Sequence, residues 1–254
     1  RYGIKGTFHL NSGYLAGKDQ EEENKYGRRI SEEEIPGLYK GHEVACHTVF
    51  HPTMERTPMP QLIRQVVEDR TSLEKEVGYP VRGFSYPNGS YSEEIKSMLK
   101  NLGIAYARIV GDSECFNMPK DFLEWKPTCH HNHRLLELTD EFIARDKDQL
   151  LSLMYVWGHS YEFTRDGNWD LIEKFAERIS GKQDIWYATN IEIVQYMEAF
   201  KRLIFTADCG KVYNPSVQPV WLNVDGTVIE VGAGMLKELA RADSHASIKH
   251  PAHP

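Results

Sequence analysis

Six short runs of apolar and β-branched residues alternate with helix-period segments over the first 200 residues, and this alternation constrains the fold more than any other feature of the chain. The strand-like runs are "GTFHLN" (6–11), "HEVACHT" (42–48), "RGFSYP" (82–87), "IAYARIV" (104–110), "LLSLMYVWG" (150–158) and "DIWYAT" (184–189). Between them lie segments with helical punctuation. Residues 31–41 open with Ser31 and Glu34 in capping-box spacing and stop at Gly41. Residues 59–78 repeat Leu62, Ile63, Val66, Val67, Leu73 and Val77 on one predicted face. Further helices are expected over 92–102, near 134–146, over 168–180 and behind Asn190. Parallel neighbours need crossover helices, so strands alternating with helices predict an α/β fold with a parallel sheet or barrel across residues 1–202.

From about residue 203 the rhythm changes. Residues 203–234 hold short β-like pieces and an Asp225-Gly226 turn signal, which predicts a small antiparallel appendage packed on the barrel. Some 30 residues bury too little surface to fold alone. Residues 235–254 carry no core pattern and read as a loose tail.

Charge narrows the partners. With 37 acidic against 30 basic residues and a net charge of −7, the chain has no Lys/Arg run that could track phosphates, which speaks against nucleic acid. No stretch approaches the roughly 20 apolar residues of a membrane helix, so the chain reads as soluble. Cytoplasmic placement is slightly favoured, with secretion left open by a chain that starts at Arg1 beside structured-looking sequence. Cys46, Cys115, Cys129 and Cys209 lie far apart without a C-x-x-C pair and are expected to be reduced.

Chemistry concentrates in "HEVACHTVFHP" (42–52). A zincin helix is ruled out, because Cys46 occupies the position that needs histidine and His47 comes one residue late. His47 and His51 are four apart, but Pro52 disfavours helix at His51, so a strand ending near His47 with the chain turning back fits better. In parallel α/β folds functional groups gather at the carboxyl ends of strands. His159 in "VWGHSYEF" and the "YPNGSY" turn (86–91) share that placement, which predicts one site. "CHHNH" (129–133) is a rival metal cluster in which Cys129, His131 and His133 would face one way and His130 the other; lining the same cleft is the favoured role. Tyr86 and Trp125 offer faces for sugar stacking, whereas Trp157, inside a strand, reads as core.

Taken in order, "RYGIKGTFHLNSG", "CHTVFHP", "RGFSYPNGSY" and "VWGHSYEF" resemble the motif series of the polysaccharide deacetylases, carbohydrate esterase family 4, with its NodB homology domain. The resemblance implies a distorted (β/α)7, TIM-barrel-like fold and a metal-dependent hydrolase. It implies removal of acetyl groups from an acetylated glycan or small acetylated sugar, as an N- or O-deacetylase. By the same resemblance His47 and His51 are metal ligands beside a carboxylate and His159 is the catalytic acid. Tyr86, Pro87, Asn88 and Trp125 would contact substrate. Zinc is the first expectation for the metal, with cobalt or nickel also suited to such ligands.

Three departures accompany the likeness. The family's Thr-Phe-Asp-Asp-Gly motif, which would bring the general base and third metal ligand on an extra first strand, is absent and is expected ahead of Arg1. Ser85 stands where the family carries an Arg, with Arg82 nearby but not equivalent, and the Asp-Trp motif is echoed only by Trp125 in "LEWKPTCHHNH". An alternative is therefore a non-catalytic glycan-binding protein on the same fold. Asp112 and Asp166, each shortly after a strand, are the substitute bases to consider within the chain.

Overall fold

The structure, a computed structural model, describes residues 1–16, 23–24, 27–145 and 150–239. The chain divides into two compact units, residues 1–147 with 151–194, and residues 195–254 with 148–150.

In the first unit, strands β1 (Thr7–Leu10), β2 (Glu43–Cys46), β3 (Gly83–Ser85) and β4 (Tyr106–Arg108) form a sheet in that order, with every pairing parallel. Beyond β4 the ladder continues through Trp125, whose N–H donates to the Ala107 carbonyl at 3.0 Å and whose carbonyl accepts from the Ile109 N–H at 3.1 Å. A second parallel pair follows, β5 (Cys129–His130) with β6 (Val156–Trp157).

The crossover helix Met59–Val77 shows why the sheet is covered. Leu62, Val66 and Leu73 are buried with Val44, Cys46, Phe84 and Leu99 in one core, and Gly78 ends the helix at φ 73°. Ile63 and Val67, expected on the same face, are instead 38% and 42% exposed. Each lies about 100° around the helix from its buried neighbour, so the inward stripe is narrower than the apolar run suggests. Asp69 completes that stripe. Its buried carboxylate accepts from the Ser12 N–H (2.7 Å), the His47 N–H (2.9 Å) and the Cys46 thiol (2.8 Å), tying the helix to the ends of β1 and β2.

Three further expectations change. Residues 31–41 form only a 3₁₀ turn, Glu32–Glu34, with the Ser31/Glu34 capping box in place, and a single α-turn, Ile35–Leu38. Residues 184–189 form no strand, and Trp186 is 57% exposed. Beside β1 the start of the helix Asn190–Lys201 takes the available bonds instead, Asn190 N–H to Thr7 Oγ1 and Ile191 N–H to Glu43 Oε2, both at 3.0 Å. A short helix, Ser160–Asp166, follows β6 directly.

In the second unit β7 (Ile204–Phe205) and β8 (Lys211–Tyr213) pair antiparallel. β9 (Val220–Val224) and β10 (Thr227–Val231) form a hairpin around Asp225 and Gly226, at φ 50° and 84°, the sign pattern of a tight hairpin turn. β11 (Leu236–Glu238) pairs with β8, so the segment read as a tail begins as a strand. All three of its residues are exposed, and backbone pairing alone accounts for it, which no apolar pattern records. The rest of that segment, 240–254, lies outside the described residues. No helix among the described residues is long and apolar enough to cross a membrane.

Candidate active site

β2 ends at Cys46, and the next five residues form a tight loop that brings two imidazoles together. The rings of His47 and His51 have centroids 4.7 Å apart and planes at 73°. Thr48 and His51 both adopt left-handed backbone, φ 66° and 53°, which costs on the order of 1–3 kcal/mol at each non-glycine position. The surrounding bonds hold it there. Asn11 Nδ2 donates to the carbonyls of His47 (2.6 Å) and Thr48 (2.8 Å), and the His51 N–H donates to Thr48 Oγ1 (3.1 Å).

His47 Nδ1 lies 2.8 Å from the Ser85 carbonyl and 2.7 Å from Ser85 Oγ, so its proton belongs on that side and Nε2 keeps a free lone pair. Burial pushes His47 down to about 3, and partial burial lowers His51 as well. Both rings are therefore neutral at neutral pH, the form that ligates a divalent cation. This donor set fits the metal that the resemblance implies, although among the described residues no carboxylate joins the pair as a third ligand.

The second arm of the site starts at β6. His159 caps the helix Ser160–Asp166: its N–H donates to Glu162 Oε2 at 2.9 Å, and its Nδ1 lies 3.2 Å from the same oxygen. His130 Nε2 reaches that oxygen at 3.0 Å and His131 Nε2 stands 3.6 Å away. The Asn132 N–H donates to His130 Nδ1 at 3.2 Å, which places the ring hydrogen on Nε2 and makes His130 a donor to Glu162. Burial works against the Glu162 charge, yet the His159 amide and the surrounding imidazoles hold its carboxyl below the usual range. Ligand atoms of His130, His159 and Glu162 lie within 4.8 Å of one another and could hold a cation, but the His130 tautomer makes them a hydrogen-bonded network.

His130 thus faces inward, opposite to the alternation expected for the 129–133 run. Cys129 is buried in core, His133 is exposed, and Asp112 binds the pieces together. Its carboxylate accepts from the His130 N–H (2.7 Å) and Trp157 Nε1–H (3.1 Å) and pairs with His133 Nδ1 (2.6 Å). A two-residue strand followed by a turn breaks the period-2 rule at once. Asp166 is engaged by Arg165 and by Asn132 Nδ2. Neither aspartate presents a free carboxylate.

Tyr86 and Trp125 are each only 1% exposed, so neither offers a face to a sugar. Tyr86 packs in the sheet core with its hydroxyl donating to the Leu123 carbonyl at 2.8 Å, and Trp125 stacks edge-on with Tyr106, Phe122 and Tyr155. Pro87 is buried, while exposed Asn88 donates to Thr53 Oγ1 at 3.1 Å. Trp157 is not core: its half-buried indole lies 4.5 Å from the guanidinium carbon of Arg108. Arg108 pairs in register with Ser85, so a guanidinium stands one strand across from the place where the family motif carries it. The signal was an arginine inside an otherwise apolar strand, "IAYARIV".

The polysaccharide deacetylase family model matches residues 1–107. No curated protein matches the chain by sequence. Among solved structures, a Mycobacterium smegmatis protein described as a polysaccharide deacetylase is 17% identical with a TM-score of 0.56, covering 79% of this chain and 74% of that one. PuuE allantoinase is 13% identical with a TM-score of 0.52, covering 65% of this chain and 62% of that one. The Streptococcus pyogenes deacetylase PplD in complex with acetate is 16% identical at a TM-score of 0.38 and covers 42% of this chain; the match spans 45% of its own length, less than half. Residues 1–107 are thus similar to the polysaccharide deacetylase family, and the parallel α/β architecture of the chain is the fold of the Mycobacterium smegmatis structure.

Proposed function

We propose that the chain is a metal-dependent carbohydrate deacetylase that releases acetate from an acetylated glycan or small acetylated sugar. The observation that carries this is the His47–His51 pair, two neutral imidazoles held face to edge at 4.7 Å with His47 Nε2 left free. They would hold the ion, zinc first among candidates; when bound, it supplies a Lewis acid and a water of lowered pKa.

The remaining work falls to the chain's own residues. Glu162 takes the Nδ1 side of His159, which turns Nε2 away from Glu162 on a ring whose side chain is 44% exposed. A protonated His159 in that orientation donates to the departing nitrogen or oxygen. Amines leave poorly from tetrahedral intermediates without a proton, so His159 matters more for an amide than for an ester.

The test is acetate release from N-acetylglucosamine oligomers and from acetylated xylan, with zinc, with chelator, and in His47→Ala and His51→Ala variants. Release that needs the metal and both histidines is the expected result. Release that survives chelation would remove the metal from the mechanism, and glycan binding without release would identify a non-catalytic binding protein on this fold.

A further inference from the structure

The loop between His47 and His51 carries an aromatic ring that the core does not take up. Phe50 is 55% exposed, and its ring meets that of Tyr14, itself 39% exposed, edge to face with centroids 6.0 Å apart. One scattered surface ring would call for no explanation. This one is braced at both ends of its backbone. The Phe50 N–H donates to Gln65 Oε1 and its carbonyl accepts from the Tyr14 hydroxyl, both at 2.9 Å. The Gly13 N–H donates to the Val49 carbonyl at 3.1 Å, which ties the residues after β1 to the same loop.

Gly13 supplies the seat. A Cβ at residue 13 would lie 2.6 Å from Phe50 Cδ1 and 2.7 Å from Val49 Cγ1, closer than side chains approach, so the ring rests against bare backbone. The rest of its surface is left to solvent. A side chain already held in place loses little conformational freedom when something binds to it. The two rings also have a polar margin. Arg29 lies over the Tyr14 ring with its guanidinium carbon 4.9 Å from the centroid, and its Nη1 donates to the Tyr14 carbonyl at 3.3 Å. Further N–H donors of the same fork adjoin the aromatic face.

We infer that Phe50 and Tyr14 form a sugar-stacking subsite for one pyranose ring of a bound glycan. An apolar face with a donor margin is the counterpart of a pyranose, whose C–H face is apolar and whose rim is hydroxylated. Size favours a sugar over a protein. Two part-exposed rings offer on the order of 200 Å² of apolar surface, whereas a stable protein interface takes roughly 800 Å² from each partner. Position argues the same way, since Phe50 directly precedes His51 and lies in the loop that brings the two imidazoles together. Tyr86 and Trp125 are buried, so this pair takes the stacking role that they do not. The inference rests on the reading of the chain as one that meets an acetylated glycan, catalytic or not.

The experiment is calorimetric titration of the full chain, under chelator, with N-acetylglucosamine oligomers and with acetylated xylan, for wild type, Phe50→Leu and Phe50→Tyr. Phe50→Leu keeps an apolar side chain but removes the flat face, and Phe50→Tyr keeps the face. The expected result is wild-type binding of one of these glycans, weakened about three- to tenfold in Phe50→Leu at unchanged Tm and retained in Phe50→Tyr. Equal affinities in wild type and Phe50→Leu would overturn the inference, and so would a wild type that binds neither glycan. If Phe50→Leu does not fold, Gly13→Ala decides, because it keeps both rings and fills the seat: weaker binding supports the subsite and unchanged binding sinks it. Acetate release separates this inference from the proposed reaction. Binding that depends on Phe50 without release would keep the subsite and remove the hydrolase, whereas release with the same KM in wild type and Phe50→Leu would do the reverse.

Discussion

Ser85 holds His47 Nδ1 with two oxygens at once, its carbonyl at 2.8 Å and its hydroxyl at 2.7 Å. The backbone of β3 therefore fixes which nitrogen of His47 faces the site, and the side chain adds a second restraint. Groups of this kind typically tune metal affinity by 10–100-fold.

The two restraints can be separated. Within the proposed metal site, Ser85→Ala keeps the carbonyl and should weaken zinc binding by no more than about tenfold, whereas His47→Ala should reduce it to background. Competition against a chromophoric chelator measures both. Equal loss in the two variants would show that the hydroxyl, not the carbonyl, sets the ring.

Glu162 is placed to orient His159, whose N–H and Nδ1 both meet Oε2. Glu162→Gln keeps the shape and removes the carboxylate that accepts from the His159 N–H and faces its Nδ1. Within the proposed deacetylation kcat should fall by roughly 10–100-fold with KM nearly unchanged, the expected size of part of a general-acid contribution. A change confined to KM would place Glu162 in substrate binding.

Gly158 precedes His159 and has no room for a side chain: a Cβ there would sit 1.8 Å from His131 Nδ1. Since His131 is 3% exposed and stacks on Phe163 at 4.3 Å, it cannot swing away freely. Gly158→Ala should cost about 1–3 kcal/mol by overpacking. Denaturant titration checks it, and an unchanged midpoint would mean that the 158–163 turn relaxes without penalty.

What could be read in the sequence divides along physical lines. β1 to β4 were legible because each is a run of apolar or β-branched residues bounded by turn residues and separated by helix-length segments. Residues 184–189 carry similar composition and form no strand, since strand propensity needs a ladder partner that composition does not report. The approach of His47 to His51 and the place of His159 just after β6 could be read from spacing at strand ends, whereas their roles rest on the resemblance. Tyr86 and Trp125 could not be sorted between core and cleft, because the type of an aromatic residue does not say which face of the sheet it occupies. Arg108 escaped notice for a sharper reason: its relation to Ser85 is a register between strands, and one sequence does not display register.

Acid sensitivity follows from the same buried imidazoles. Burial depresses His47 to about 3 and also lowers His9, His51, His130 and His131 below the ordinary value near 6.5. An unfolded chain therefore binds more protons than the folded one across the interval between those values. Stability must rise with pH through that interval and fall as pH drops from about 6.5 toward 3. Glu162 and Asp112, held below their ordinary values, contribute in the same direction only lower down, while Glu43 and Asp69, raised by burial, oppose it. The first loss on acidification should thus be histidine-driven. His47→Gln, which removes the most depressed of these groups, should flatten the decline of Tm between pH 6.5 and 4.5 relative to wild type, measured in the presence of chelator. A parallel decline in both proteins would assign acid sensitivity to other groups and would show that His47 does not carry the depressed affinity that its burial imposes.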